Sequence, residues 1–187
     1  MKMLPKMCVI NPCDYNQTKA ATIAIASYEG PVYLRFGRPV LPNFTPKDQV
    51  FQIGKAWTMN EGTDVSIFAT GHLVWEAIKA GEILEQKGIN AEIINIHTIK
   101  PLDEKAILDS VRKTRCAVSA EEHQLNGGLG DSIAQVLARN MPLPLEMVGV
   151  KDSFGESGTP EQLMVKYGLT AANIVEAALK AIQRKNT

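Results

Sequence analysis

Two arginines near the end of a β-prone run are the residues best suited to chemistry in this sequence. Residues 31–36 (Pro-Val-Tyr-Leu-Arg-Phe) favour a strand, and Arg35 and Arg38 are an odd interval apart, so they point to different faces if the strand continues. One of them is expected in a buried salt bridge. Arg38 would emerge beside Gly37, where its planar fork of donors suits a phosphate. Residue chemistry alone leaves ligand contact and structural pairing equally open.

The three histidines are weaker candidates for a catalytic role. His123 follows two glutamates, which can tune an imidazole toward acid–base work, but no nucleophile accompanies it. A structural histidine in a surface or interface loop is the favoured interpretation. His72 lies where a strand ends and a helix begins, which is where open α/β sheets bind ligands, although the same residues serve equally well as a helix entry. With His97 as the third, the histidine spacing does not match a zinc site.

A glycine-rich stretch at residues 121–130 (Glu-Glu-His-Gln-Leu-Asn-Gly-Gly-Leu-Gly) is expected to be a loop between a strand and a helix. Glycines permit close backbone approach, and a helix N-terminus can hold an anion. The pattern is not the dinucleotide fingerprint Gly-x-Gly-x-x-Gly. The acid that would grip a ribose about 20 residues later is also missing, because Glu146 lies inside the next expected strand. We predict a structural tight turn at residues 127–130 rather than a phosphate or nucleotide site.

Composition and charge exclude several classes of protein. The chain has 187 residues, of which 45% are hydrophobic, and its 20 basic and 20 acidic side chains balance. This composition is typical of a soluble globular chain, and the balance argues against nucleic-acid and membrane partners. Cys8, Cys13 and Cys116 are odd in number and lack Cys-x-x-Cys spacing, which predicts free thiols in a reducing compartment. We therefore expect a cytoplasmic protein without a signal peptide.

Strand-like and helix-like segments alternate along the chain. Strands are expected at residues 7–10, 31–36, 50–59, 65–69, 91–96, 115–120 and 145–150. Helix starts are marked by capping patterns at Asp14, Asp103, Thr159 and Thr170, with further helices at residues 73–86 and 132–140. The fold class is therefore α/β: a three-layer α/β/α arrangement with a mostly parallel, mixed, five-stranded Rossmann-like sheet, preceded by an incomplete βαβ piece.

A proline-rich segment divides the sequence into two parts. Residues 37–49 contain three prolines, which disfavour regular structure and predict a linker. We expect a small N-terminal part at residues 1–45 and a larger domain at residues 46–187. The early entry of the first strand also leads us to expect that Met1 is either an artificial start or an internal boundary of a longer polypeptide.

Five segments together resemble the C-terminal section of a transketolase. They are residues 4–14 (Leu-Pro-Lys-Met-Cys-Val-Ile-Asn-Pro-Cys-Asp), 30–38 (Gly-Pro-Val-Tyr-Leu-Arg-Phe-Gly-Arg), 121–130, 152–160 (Asp-Ser-Phe-Gly-Glu-Ser-Gly-Thr-Pro) and 167–170 (Tyr-Gly-Leu-Thr). Each motif is loose, but their order and spacing are specific, and together they extend along essentially the whole chain.

The resemblance implies a thiamine diphosphate enzyme that moves a two-carbon ketol unit between sugar phosphates in the non-oxidative pentose phosphate pathway. It implies a homodimer with three domains per subunit. The first domain binds the diphosphate with Mg²⁺ or Ca²⁺, and the second binds the aminopyrimidine. Residues 1–45 would be the end of that second domain plus a linker, and residues 46–187 the third domain. Arg38 matches the family's arginine that helps to hold the substrate phosphate.

The same resemblance implies what this sequence lacks. The family's Gly-Asp-Gly cofactor motif, its pyrimidine-activating glutamate and its substrate-facing histidines have no counterpart here. We therefore expect no catalytic residues in this chain, no cofactor bound by it and no turnover without an upstream diphosphate-binding section as partner.

Other interpretations remain open at this point. Deoxyxylulose-phosphate synthase and the β subunit of 2-oxo acid dehydrogenases share the three-domain plan, although residues 34–38 and 154–170 resemble transketolase better. The chain could instead be a non-catalytic dimerisation module. A nucleotide-binding regulatory domain is a third alternative, based on the glycine loop.

Overall fold

Two β-sheets organise the chain, and the computed structural model describes all of residues 1–187. The strands are β1 (Cys8–Ile10), β2 (Val32–Leu34), β3 (Trp57–Asn60), β4 (Val65–Ala69), β5 (Ala91–Asn95), β6 (Thr98–Lys100), β7 (Ala117–Gln124) and β8 (Leu145–Val150). The helices are α1 (Tyr15–Ile25), α2 (Leu73–Glu85), α3 (Glu104–Thr114), α4 (Leu129–Asn140), α5 (Pro160–Lys166) and α6 (Ala171–Lys185).

The larger sheet has five strands in the order β3-β5-β4-β7-β8. Strands β5, β4, β7 and β8 are mutually parallel, and β3 pairs antiparallel with β5 at the edge. One apolar cluster packs α2 and α6 against one face, and a second packs α3 and α4 against the other. The predicted three-layer α/β/α arrangement with a mixed five-stranded sheet is therefore confirmed.

Strand β4 shows why the sequence has continuous apolar runs rather than alternating ones. All five of its residues are buried, with Ile67 in the cluster beneath α2 and α6 and Phe68 in the cluster beneath α3 and α4. A parallel strand covered on both faces needs apolar residues at successive positions. The polar exception, Ser66, meets the hydroxyls of Ser110 and Thr114 at 2.5 and 2.6 Å.

The smaller sheet has the order β2-β1-β6 and contains the expected N-terminal βαβ unit. Strands β1 and β2 are parallel, whereas β6 pairs antiparallel with β1 through Ile10 opposite Thr98. Strand β6 was not predicted, because three residues give no measurable periodicity and their partner lies about 90 positions away in the sequence. Residues 98–100 thus complete the sheet begun by the N-terminal part.

Three predicted boundaries need correction. Strand β3 begins at Trp57, not at residue 50, because Phe51 instead packs in a small apolar cluster with Cys8 and Ile10. Helix α4 begins at Leu129 rather than at residue 132. Strand β7 extends to Gln124, so the expected loop at residues 121–130 is mostly strand and helix entry.

Three of the four predicted side-chain caps are confirmed, whereas Thr170 precedes α6 as expected but its hydroxyl donates to Oδ1 of Asn173 at 2.8 Å. The side chains of Asp14, Asp103 and Thr159 accept hydrogen bonds from the backbone of the first turn of α1, α3 and α5. Gln17, three residues after Asp14, is not the reciprocal partner of a capping box, because it accepts a hydrogen bond from the backbone N–H of Cys13 at 3.0 Å and not from that of Asp14. No helix is both long enough and apolar enough to cross a membrane.

Candidate functional site

A cleft of about 930 Å³ opens between the segment that follows β2 and the C-terminal part of the chain. Arg35 and residues 37–41 line one side, and residues from β8, α5 and the start of α6 line the other. His72, at the entry to α2, and Glu122, in β7, also line the cleft. These two positions lie near the carboxyl ends of the parallel strands β4 and β7, the edge where α/β sheets bind ligands.

The Glu122 carboxylate connects two of the residues singled out in the sequence, Arg35 and His72. Its Oε1 accepts a hydrogen bond from Arg35 Nη1 at 2.5 Å, and its Oε2 lies 3.1 Å from His72 Nδ1. The side chains of Glu122 and His72 are 15% and 14% exposed, and that of Arg35 is 30% exposed. The expectation that one of the two arginines enters a salt bridge is confirmed, and the arginine is Arg35.

The ionisation of Glu122 is set by these two neighbours. Burial by itself would raise the pKa of the carboxyl. Hydrogen bonds and positive charge from His72 and Arg35 outweigh that effect and lower the pKa of Glu122 to about 2. Glu122 therefore carries a full negative charge at neutral pH and compensates the charge of Arg35.

Arg38 differs from every other basic residue that lines the cleft. Its side chain is exposed and takes part in none of the ion pairs, whereas Arg35 is paired with Glu122 and Lys79 with Glu76 at 2.6 Å. An unpaired guanidinium at the wall of a cleft can bind an incoming anion without first breaking an internal salt bridge.

Gly37 brings the arginine segment against His72. A Cβ atom at position 37 would lie 2.0 Å from Cε1 of the His72 imidazole, a distance that no real contact tolerates. The glycine therefore lets the backbone between Arg35 and Arg38 pass directly over the ring. Any side chain here would displace either the imidazole or the arginine segment.

His123 lies on a strand rather than in the loop expected from the sequence. It belongs to β7, and side chains alternate between the two faces of a strand, so Glu122 and Gln124 line the cleft whereas His123 does not. Burial, assisted by the charge of Arg35, lowers the pKa of His123 to about 4. A neutral histidine outside the cleft supports the structural interpretation over an acid–base role.

The glycine loop is occupied by a carboxylate of the chain itself. Glu121, which is 1% exposed, accepts hydrogen bonds from the backbone N–H groups of Leu129 and Gly130 at 2.7 and 2.9 Å. These are the donors that would otherwise bind a phosphate at the start of α4. Gly128 leaves room for this cap, because a Cβ there would lie 2.4 Å from both carboxylate oxygens. The structure thus agrees with the predicted structural turn.

His97 is also remote from the cleft. It is 5% exposed, its ring lies 4.2 Å from the ring of Phe51, and its Nδ1 is 3.0 Å from the hydroxyl of Thr98. Burial lowers the pKa of His97 to about 4, against a small opposing effect of Asp103. This histidine packs at the junction of the two sheets.

Sequence reasoning considered Glu122 only as a neighbour of His123 and not as the partner of Arg35 and His72. The sequence pointed to Arg35, Arg38 and His72 separately, but their common partner is 87 positions from Arg35. The only usable signal in the sequence was its position as a charged residue just after an expected buried strand. A carboxylate buried there without a partner would be costly in free energy.

The transketolase C-terminal domain family matches residues 54–174. The chain belongs to this family. A 6-deoxy-6-sulfo-D-fructose transketolase subunit of Clostridium sp. (strain MSTE9) is 45% identical over 186 residues, covering 100% of this chain and 58% of the relative. A transketolase C-terminal section of Methanocaldococcus jannaschii is 39% identical, covering 99% of this chain and 58% of the relative.

A solved structure of a split-gene transketolase, described as an inactive β4 tetramer, agrees closely with this transketolase-family chain. The TM-score is 0.96 at 43% identity, and the match covers 99% of this chain and 61% of the other. The chain therefore spans about three fifths of the length of these three relatives. It corresponds to the C-terminal portion of a larger transketolase-family enzyme.

The residues present do not fit the metal-bound diphosphate of the family's cofactor. No group of three or more His, Cys, Asp or Glu side chains is placed to hold a metal ion. The helix N-terminus offered by the glycine loop is already filled by Glu121. The cleft itself is lined by three basic side chains (Arg35, Arg38 and Lys79) and four acidic ones (Glu76, Glu122, Glu156 and Glu161).

Proposed function

We propose that this chain supplies the substrate-anchoring cleft of a transketolase that transfers a two-carbon ketol unit between anionic sugars. The observation that carries the proposal is Arg38, an exposed and unpaired guanidinium beside a cleft large enough for a sugar. The Arg38 side chain would bind the terminal anionic group of the substrate. Catalytic groups and thiamine diphosphate with its Mg²⁺ or Ca²⁺ would come from an upstream diphosphate-binding section.

Residues 1–45 and 46–187 would have different roles in that enzyme. The first segment is proposed as the end of the pyrimidine-binding domain plus linker, and the second as the C-terminal domain. Glu122 joins the two, because it pairs with Arg35 of the first segment and His72 of the second. This contact would hold the arginine segment at the boundary where substrate enters.

The chain alone is proposed to be inactive and to associate both with copies of itself and with the diphosphate-binding section. The split-gene transketolase that it resembles was captured as an inactive assembly of four β chains, and the Clostridium relative is named as a subunit. Both descriptions support a division of one transketolase between two polypeptides. We also propose that complete enzyme units pair as homodimers, that the enzyme is cytoplasmic and that it acts in the pentose phosphate pathway.

The anionic group of the substrate is proposed to be a phosphate or a sulfonate. The Clostridium relative is named for a sulfo sugar, whereas sugar phosphates are the substrates that the family resemblance implies. Either group offers oxygen acceptors to the guanidinium fork of Arg38.

The experiment that tests this function is a comparison of Arg38 variants in the enzyme assembled with its diphosphate-binding section. R38A is expected to raise the KM for ketose substrates with an anionic end by about 10- to 100-fold, which corresponds to loss of one charge-assisted hydrogen-bonding group. R38K should recover part of the loss, since it retains the charge but not the planar fork. An unchanged KM in R38A would contradict the anchoring role.

A further inference from the structure

The segment that carries Arg38 has few attachments to the rest of the chain. The backbone N–H of Arg35 donates to a carbonyl of β1 at 2.9 Å, and the backbone N–H of Phe44 donates to the carboxylate of Asp14 at 2.9 Å. Between these two anchors, residues 36–43 make no hydrogen bond through backbone or side chain. The course of this segment therefore depends on packing contacts.

Open space lies on both sides of the same segment. Gly37, Pro39, Val40 and Leu41 line the cleft of about 930 Å³ and also a second cavity of about 510 Å³. His72 is the one other residue that lines both. The segment is thus a ridge between two cavities, and the imidazole of His72 is the side chain that supports it.

The contact between Gly37 and His72 is tight, and the ring is itself held in place. A Cβ atom at position 37 would lie 2.0 Å from Cε1 and 2.3 Å from Nε2 of the imidazole, so the glycine backbone already lies against the ring. The His72 side chain is only 14% exposed, and its Nδ1 lies 3.1 Å from Oε2 of Glu122. A close-packed contact of this kind transmits displacement rather than absorbing it.

We propose that His72 is a positioning residue, whose imidazole supports the backbone at Gly37 and thereby sets where the Arg38 guanidinium meets the anionic end of the substrate. This inference rests on the proposed anchoring role of Arg38. Arg38 directly follows Gly37 and precedes Pro39, which disfavours helical backbone at Arg38, so a shift of the backbone at Gly37 is carried to the guanidinium. The hydrogen bonds of a guanidinium fork depend on its direction, and a displaced fork binds an anion less well.

The test measures steady-state kinetics of variants in the enzyme assembled with its diphosphate-binding section, thiamine diphosphate and Mg²⁺. With fructose 6-phosphate, H72A should raise KM by about three- to tenfold and change kcat by less than about twofold, because it displaces an anchoring group without touching the reacting atoms. The double variant R38A/H72A should have the KM of R38A. Once the guanidinium is removed, the support for it has nothing through which to act.

Two further substitutions separate the ring from its hydrogen bond. H72F keeps a planar ring under Gly37 but cannot bond to Glu122, and its KM should lie within about twofold of wild type. H72N keeps a donor for Glu122 but removes the ring, and it should behave as H72A does. Rescue by asparagine and not by phenylalanine would overturn the supporting role of the ring.

A merely structural role of His72 predicts a different pattern. H72A would then lower kcat, or would raise KM by the same factor with and without Arg38, and either result overturns the inference. The matched control is H123A, which removes the imidazole that follows Glu122 in β7 but does not line the cleft. Its KM should change by less than about twofold.

G37A tests the same contact from the opposite side and replaces H72A if that variant does not fold. The added Cβ would push the segment and the ring apart, so the KM for fructose 6-phosphate should rise. In the R38A background the same substitution should have no further effect. An unchanged KM in folded G37A would overturn the inference.

Failure of this inference can be distinguished from failure of the proposed function. If R38A raises KM while H72A and G37A leave it unchanged, only the role of His72 is contradicted. If R38A leaves KM unchanged, or if the assembled enzyme does not use fructose 6-phosphate saturably, both proposals are contradicted. Circular dichroism and thermal unfolding of each variant confirm that the measured protein is folded.

Discussion

Glu122 lies within hydrogen-bonding distance of both Arg35, at 2.5 Å, and His72, at 3.1 Å, and so joins the N-terminal βαβ segment to the five-stranded sheet. One carboxylate thereby fixes two elements that are far apart in sequence. It also leaves Arg38 as the basic residue of the cleft without a partner. This relationship holds the arginine segment against His72 and compensates the charge of Arg35.

Replacing Glu122 by glutamine should destabilise the chain most at neutral pH. A carboxyl whose folded pKa is lowered contributes stability above its unfolded pKa, near 4.5, and loses it as pH falls through its folded pKa, about 2. We expect E122Q to cost about 2 kcal/mol at pH 7, and the difference from wild type to shrink steadily from pH 4.5 downward. Urea unfolding across this range measures the effect, and a difference independent of pH would contradict it.

The cap at the start of α4 predicts contrasting effects at two glycines. G128A would place a Cβ 2.4 Å from the Glu121 carboxylate and should destabilise the chain by roughly 2–3 kcal/mol. G155A is the matched control, because no atom lies within 4 Å of a Cβ there, and its effect should stay within about 0.5 kcal/mol. Equal thermal unfolding midpoints for the two variants would exclude Glu121 as a rigid cap.

Asp14 is predicted to stabilise the linker as well as the start of α1. Its carboxylate accepts hydrogen bonds from the backbone of Gln17 at 2.8 Å, of Phe44 at 2.9 Å and of Thr45 at 2.7 Å. D14A would leave these donors unsatisfied and should cost about 2–4 kcal/mol, more than the ordinary cap value of about 1. The exposed Asp48 provides the control, since D48A should be nearly neutral. A D14A loss of only about 1 kcal/mol would mean that its contacts with the linker add nothing.

His97 should make the fold sensitive to mild acid. Its folded pKa is about 4 against 6.5 for a free histidine, so it contributes stability above pH 6.5 that is lost as pH falls through about 4. The full effect is on the order of 3 kcal/mol. H97Q removes this titration, and the stability difference between wild type and H97Q should therefore decrease between pH 7 and pH 4. A difference that grows with acidification would have the wrong sign.

The sequence predicted the layers and most element starts because those depend on local patterns. Apolar runs such as Val65–Ala69 identified buried parallel strands, and the caps at Asp103 and Thr159 identified helix starts. Pairing partners are not local. Strand β6 has only three residues and joins a strand from the beginning of the chain, so no periodic signal announced it.

The site was predicted only in parts for the same reason. Arg35 and Arg38 were recognised from their spacing. Which of the two forms the salt bridge could be decided only once the position of Glu122 was known. His123 was placed in a loop because the glycines that follow suggested an early strand end, whereas β7 continues to Gln124 beside β8. The substrate contact of Arg38 stays a prediction.

The most direct test of the proposed function is a titration of transketolase activity. The diphosphate-binding section is kept at a fixed concentration with thiamine diphosphate and Mg²⁺, and this chain is added in increasing amounts while ketol transfer is followed with a coupled assay. Neither component should turn over alone, and activity should rise to a plateau at equal numbers of the two chains. Thiamine-dependent turnover by residues 1–187 alone, or a mixture that stays inactive at saturation, would contradict the account.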